Sequence, residues 1–181
     1  MRQRPSGSPK ARLTAVLEAT KVIASSLDLE QSLQAIIQQA TIISGTNVVR
    51  LFLLDEEAKV LRCRVGVGLP PEEEQDIVIP VGDGFSGQVA ATGKPLVVAD
   101  MRNDPRLLYS QHAVKHGLVS YLGLPVKLGD RVLGVLVFNT RSPRRYSPAE
   151  IEYLSAFADQ AAIAIENARL FQDCLLYTSP S

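Results

Sequence analysis

The stretch "IPVGDGFSGQVAATGKPLVVAD", from Ile79 to Asp100, sets the tightest limit on the fold. It places Gly82-x-Gly84-x-x-Gly87 after a predicted strand and before a predicted helix, with Asp100 closing the next extended segment, the pattern of a dinucleotide-binding fingerprint. Such a site needs a parallel βαβ unit whose crossover takes a dozen or more residues. Here only "QVAAT" separates Gly87 from Gly93-Lys94-Pro95, so Phe85 to Thr92 makes about two helical turns, roughly 12 Å long. The strand before it carries Pro80 and follows three consecutive glutamates, whereas the first strand of a dinucleotide fold is central and apolar on both faces. Asp100 also comes early for a ribose ligand. The glycines therefore shape a tight turn and start a short helix, and the sheet cannot be of the parallel, doubly wound kind.

On either side of that turn the hydrophobic period changes. Leu13, Val16, Leu17, Thr20, Ile23 and Leu27 recur at helical spacing, and Ser8-Pro9 suits the start of that helix. A second helix is expected from Asp28 as N-cap, through Leu33, Ile36, Ile37, Ala40 and Ile43, to Gly45. "NVVRLFLLD" and "KVLRCRVGVGL" then form a hairpin around Asp55 to Ala58. "PPEEEQ" reads as an acidic loop, and "DIVIPVG" and "PLVVAD" as short strands. "DPRLLYSQHAVKHG" reads as a short helix capped by Asp104, with Pro105 at its first position. "SYLGLPVKLGDRVLGVLVFNT" is a long hairpin around Leu128-Gly129-Asp130. Ser147-Pro148-Ala149-Glu150 is a capping box, and Ile151, Leu154, Ala158, Ala161, Ile165 and Ala168 follow as a heptad-like seam, suited to a partner helix or to the chain's own sheet.

Lys plus Arg equals Asp plus Glu, 19 against 19, so no basic footprint for nucleic acid is present. The two cysteines, Cys63 and Cys174, are far apart and lack histidines at ligand spacing, which excludes a disulfide scaffold and a structural zinc motif. No apolar run reaches a membrane span, and the basic start lacks the apolar core of a signal peptide, so the chain reads as cytoplasmic. Residues 1–10 are expected to be a disordered leader and 11–173 one domain. The tail "CLLYTSPS", residues 174–181, resembles translated sequencing-adaptor read-through and is expected to be non-native, so that the natural protein continues beyond Asp173.

The order helix, helix, hairpin, strand, short helix, strand, short helix, hairpin, long helix fits an α+β architecture with an antiparallel sheet and helices on both faces. Within it, "LDLEQSLQAIIQQA", "VGDGFSGQVAATGKPLVVADMRNDPR", "SYLGLPVKLGDRVLGVLVFNT" and "YSPAEIEYLSAFADQAAIAIENARLF" resemble a GAF domain, over roughly Leu13 to Phe171. The resemblance implies a six-stranded antiparallel sheet, with the first and last helices on one face and short helices and loops closing a pocket on the other. It also implies a module that senses a small molecule, dimerises through its first and last helices and passes pocket occupancy along the C-terminal helix to an output domain downstream, such as a sensor histidine kinase, a cyclic-dinucleotide enzyme or a transcription activator.

The pocket residues implied are Phe85, Asp100, Tyr109, His112, His116 and Tyr121. Each has a plainer role open to it: Phe85 as a core anchor of the glycine turn, Asp100 as a turn cap, Tyr109 and Tyr121 as residues at the core edge. His112 and His116, four residues apart, share one helical face; with no third ligand in an evident motif, that face reads as solvated and no metal is assigned. Haem through His116 is a minor alternative. Covalent bilin is disfavoured because neither cysteine lies in the pocket segment. Cyclic nucleotide is disfavoured because Asn139 is followed by Thr140 where the family's binding motif has lysine, and Glu150-Ile151 keeps half of its acidic pair. Free methionine sulfoxide reduction needs a thiolate and a resolving cysteine, and Cys63 reads as a packed thiol within its strand. The alternative to sensing is a scaffold whose pocket is filled by its own side chains, such as Phe85, Leu107, Tyr109 and Leu122; a cavity of about 300 Å³ or more with inward polar groups separates the two.

Overall fold

The computed structural model describes residues 28–178; the expected leader and the first helix, through Leu27, lie outside the described residues. Helix α1 (28–44) leads into strands β1 (Val48–Asp55) and β2 (Val60–Val67). They are followed by the one-turn helix α2 (Pro71–Glu74), β3 (Val78–Pro80), α3 (Gly84–Thr92), β4 (Leu96–Val98), α4 (Ser110–Lys115), β5 (Ser120–Leu128), β6 (Arg131–Thr140) and α5 (Pro148–Thr178). The six strands form one antiparallel sheet in the order β3-β2-β1-β6-β5-β4.

Alternation along the strands divides the sheet into two faces. Val49 and Leu51 of β1, Leu122 and Leu124 of β5, and Leu136 and Phe138 of β6 pack under α1 and α5 against Leu33, Ile37, Leu154, Ala158 and Ala161. Burying each such large apolar side chain contributes about 1.5–3 kcal/mol. The intervening residues Val48, Phe52, Tyr121, Val135 and Val137 face α3 and the segments around it, where they pack on Phe85, Val89, Met101 and Ala113. The seam of α5 is thus the core of its own domain. Its start is the expected capping box: the Glu150 amide donates to Ser147 Oγ at 3.1 Å and the Ser147 amide donates to Glu150 Oε1 at 3.4 Å.

The glycine turn is what lets α3 join the two edge strands, β3 and β4, across one face. Gly84 has φ +62°, and a Cβ on Gly87 would stand 2.3 Å from the Pro80 carbonyl oxygen, so a side chain at either place is opposed by backbone strain or collision. The Gly82 amide donates to the Gly87 carbonyl at 2.8 Å and closes the turn.

Three local expectations need correction. Asp28 is already helical and is not the cap of α1. The acidic loop contains α2, whose Glu74 is buried. Helix α4 begins at Ser110, not after Asp104, because the Asp104 carboxylate accepts from the Arg106 amide and guanidinium in a turn of its own. Tyr109 then enters α4 with φ +56°. Helix α5 itself runs on through Cys174 to Thr178.

Candidate functional site

Between β1, β6 and β5 below and α3, α4 and the 101–109 segment above lies a cavity of about 60 Å³. Of the residues expected there, Phe85, Tyr109, His112 and Tyr121 line it. Phe85 and Tyr121 pack ring to ring at 5.0 Å, and Arg106 covers the other side of Phe85 at 5.1 Å. The Tyr121 hydroxyl and Ser86 Oγ are 2.8 Å apart, and burial pushes the phenol's pKa up. Tyr109 ties the cavity wall to an edge strand: its hydroxyl donates to the Val78 carbonyl at 2.7 Å and accepts from the Val78 amide at 3.0 Å.

Asp100 and His116 do not line it. The Asp100 carboxylate accepts from the Arg102 amide and guanidinium, which hold its pKa down at about 2, and so it caps a turn. Leu122, counted among the residues that would fill a closed pocket, points to the opposite face and packs with α5's core.

The floor of the cavity is polar, and most of its residues were not in the expected set. Arg50, in the middle of β1, donates from Nη1 to Glu74 at 3.1 Å and from Nη2 to Asn139 Oδ1 at 2.9 Å; its side chain and that of Glu74 are 11 % and 6 % exposed. Among the described residues Arg50 Nε has no hydrogen-bond partner. Asn139 is locked in turn by donating to the Ser120 carbonyl at 2.9 Å. One signal was legible: an arginine at the centre of "VVRLF", flanked by residues that bury completely, is a charge that must find a partner. The partner was not legible.

The two histidines do not form a solvated face. Their side chains are 16 % and 14 % exposed, His112 Nε2 lying 2.9 Å from Glu74 Oε1 and His116 Nε2 2.5 Å from Glu73 Oε2. Lys115 Nζ donates to Glu73 Oε1 at 2.7 Å, and Lys115 and His116 together hold the Glu73 carboxyl below its ordinary range. Arg50 also lines a second cavity, of about 150 Å³, together with Glu74 and Cys63. Burial and the Glu74 charge push the Cys63 thiol up to about 12, so it is not a thiolate at neutral pH.

These residues do not fit a haem: both imidazoles are tied to carboxylates, and 60 Å³ is far short of a porphyrin. Nor does Asn139 stand ready for a nucleotide base, since both ends of its amide are engaged.

A six-stranded antiparallel sheet with helices on one face and a capped cavity on the other is an α+β architecture. The sequence profile of the GAF domain matches residues 28–165, and the chain belongs to that family. It is 31 % identical over 157 residues to the Nif-specific regulatory protein of Herbaspirillum seropedicae, an alignment covering 84 % of this chain and 29 % of that regulator. The chain thus spans under a third of the length of the curated regulators it matches. Among solved structures, the GAF domain from an Acinetobacter phosphoenolpyruvate-protein phosphotransferase superposes with a TM-score of 0.70 at 23 % identity, covering 92 % of this chain and 99 % of that one. The free methionine-R-sulfoxide reductase from Neisseria meningitidis does so with a TM-score of 0.68 at 23 % identity, covering 93 % and 98 %. Among the described residues no helix is long and apolar enough to cross a membrane.

Proposed function

We propose that this GAF domain is the ligand-sensing module of a larger regulatory protein, and that its ligand is a small anion or polar molecule held on Arg50. The observation that carries this reading is a buried guanidinium on the cavity floor with a donor to spare; a buried, unpaired N–H is costly unless a ligand or water completes it. The 60 Å³ of room admits a ligand of a few heavy atoms. Arg50 lines both cavities and its partner Glu74 lines the second, so a larger ligand would gain space by moving that pair. The curated regulator that the chain resembles supports a regulatory parent. Sulfoxide reduction is not proposed, because the Cys63 thiol stays protonated. Signal would leave along α5, whose outer face exposes Ile163 and Leu170 seven residues apart, a spacing suited to a second copy of the helix.

The test is a thermal-shift screen of small carboxylates and oxyanions. A true ligand raises Tm in proportion to RT ln(1 + [L]/Kd) in the wild type and fails to do so in Arg50→Met. The small volume is the one observation that favours the alternative, a self-filled dimerisation or docking scaffold. That reading wins if no compound shifts Tm at millimolar concentration and Ala113→Leu, which fills the cavity, leaves regulation by the full-length parent intact. Sedimentation checks the dimer: Ile163→Arg is expected to shift the protein towards monomer, and an unchanged profile removes α5 from the interface.

A further inference from the structure

Helices α2 and α4 bring together three ligand-bearing side chains that no sequence motif joins. Glu73, His112 and His116 each offer one ligand atom, and these atoms lie within 4.8 Å of one another. A tetrahedral zinc ion with ligands at about 2.0–2.1 Å keeps its donor atoms roughly 3.3 Å apart, so modest side-chain rotations suffice to gather all three. Two imidazoles and a carboxylate, with a fourth position open to water, are a donor set that zinc and its first-row neighbours take readily. The chain has only 2 histidines, and both are here.

The surroundings are built in a way that an accidental surface pair is not. The imidazoles are largely shielded. Glu74, itself held by Arg50, lies 2.9 Å from His112 Nε2, which leaves Nδ1 of that ring to ligate, and a carboxylate on the other nitrogen orients a metal-ligating ring. Lys115 takes one oxygen of Glu73 and leaves the other turned to His116. Helix α4 is fixed at both ends, by the Tyr109 hydroxyl on Val78 and by Arg141 Nε donating to the His116 carbonyl at 3.0 Å. We propose that Glu73, His112 and His116 bind a divalent transition-metal ion of the zinc class, clipping α2 to α4 at the wall of the cavity. Two cations oppose a metal ion here among the described residues: Arg50, whose charge is committed to Glu74, and Lys115, whose side chain is 63 % exposed and free to turn outward.

Zn²⁺ is titrated into the whole protein in competition with a chromophoric chelator, and Co²⁺ binding is followed by its visible ligand-field bands, with circular dichroism confirming that each variant folds. One equivalent is expected to bind. Glu73→Gln and His116→Gln should each weaken binding by about 10-fold or more, Lys115→Ala should tighten it, and Glu72→Gln, exposed on the same turn, should leave it unchanged. The proposal is overturned if the folded wild type takes up no stoichiometric Zn²⁺ or Co²⁺, or if Glu73→Gln and His116→Gln bind as the wild type does; the cluster is then an ion-pair clasp alone. No organic ligand enters the experiment, so its outcome is independent of whether Arg50 senses one.

Discussion

The two faces of the sheet are made by the same strands, and they differ in what they leave unfinished. Under α1 and α5 the packing is mostly apolar, and the buried hydroxyls of Ser120 and Thr140 at the end of that face satisfy each other. On the other face, one residue along each strand, stand Arg50, Asn139 and Tyr121, all buried and all committed to polar partners. Burying a charge costs several kcal/mol before its partners repay part of it, so a face built for stability alone has no need of one. The contrast places the buried charge of a chain with zero net charge on the face away from the long helix.

Substitutions that treat the faces alike should expose the difference. Leu136→Ala beneath α5, where the site is sealed and fully buried, is expected to cost about 4 kcal/mol by urea denaturation; a loss under about 1 kcal/mol would mean that this face is as loosely packed as the other. Arg50→Met strands Glu74, with His112 and Cys63 left beside it, and should cost about 3 kcal/mol, the low end for a broken buried pair. The paired replacement Arg50→Met with Glu74→Gln should recover most of that loss, and failure to recover would show that the pair is structural packing rather than a compensated charge. Gly87→Ala drives a methyl at the Pro80 carbonyl and is expected to cost about 2 kcal/mol, chiefly by displacing α3 from the cavity face.

The smallest effect on stability at neutral pH concerns Cys63. Its thiol has a folded pKa of about 12 against an ordinary value of 9.0, so the folded state favours the protonated form. The resulting stability is complete below the unfolded value and is lost as pH rises from there towards 12. With Cys174→Ser in place so that one thiol is read, alkylation by iodoacetamide at pH 8.5 should be about 100-fold or more slower in the folded protein than in urea. Equal rates would place a reactive thiolate on the polar face and reopen redox chemistry there.

Much of this architecture could be read from the residues. Leu128-Gly129-Asp130 announced the β5–β6 hairpin, and Ser147-Pro148-Ala149-Glu150 announced the start of α5, because turns and caps are local hydrogen-bonding problems solved by adjacent residues. The start of α4 was misplaced for the same kind of reason: Asp104 and Pro105 have the chemistry of a helix cap, but Arg106 captures the carboxylate first, and only the bond of Tyr109 to β3 decides where the helix can begin. Four of the six expected pocket residues do line the cavity, since a resemblance places segments on a face even when it cannot say which side chains meet.

By itself the sequence determined that Gly82-x-Gly84-x-x-Gly87 does not open a parallel βαβ unit: eight residues from Phe85 to Thr92 cannot return a chain to a parallel neighbour, and covalent reach is a local property. It also determined an antiparallel sheet, a glycine turn and a long capped helix. Only the tertiary structure decided that Glu73 and Glu74, which read as solvated charges in a loop, meet His116, His112 and Arg50 across 24 to 43 positions of sequence. A buried charge chooses its partner by proximity in the folded state, and proximity between α2, α4 and β1 exists only once the sheet has brought them to one face.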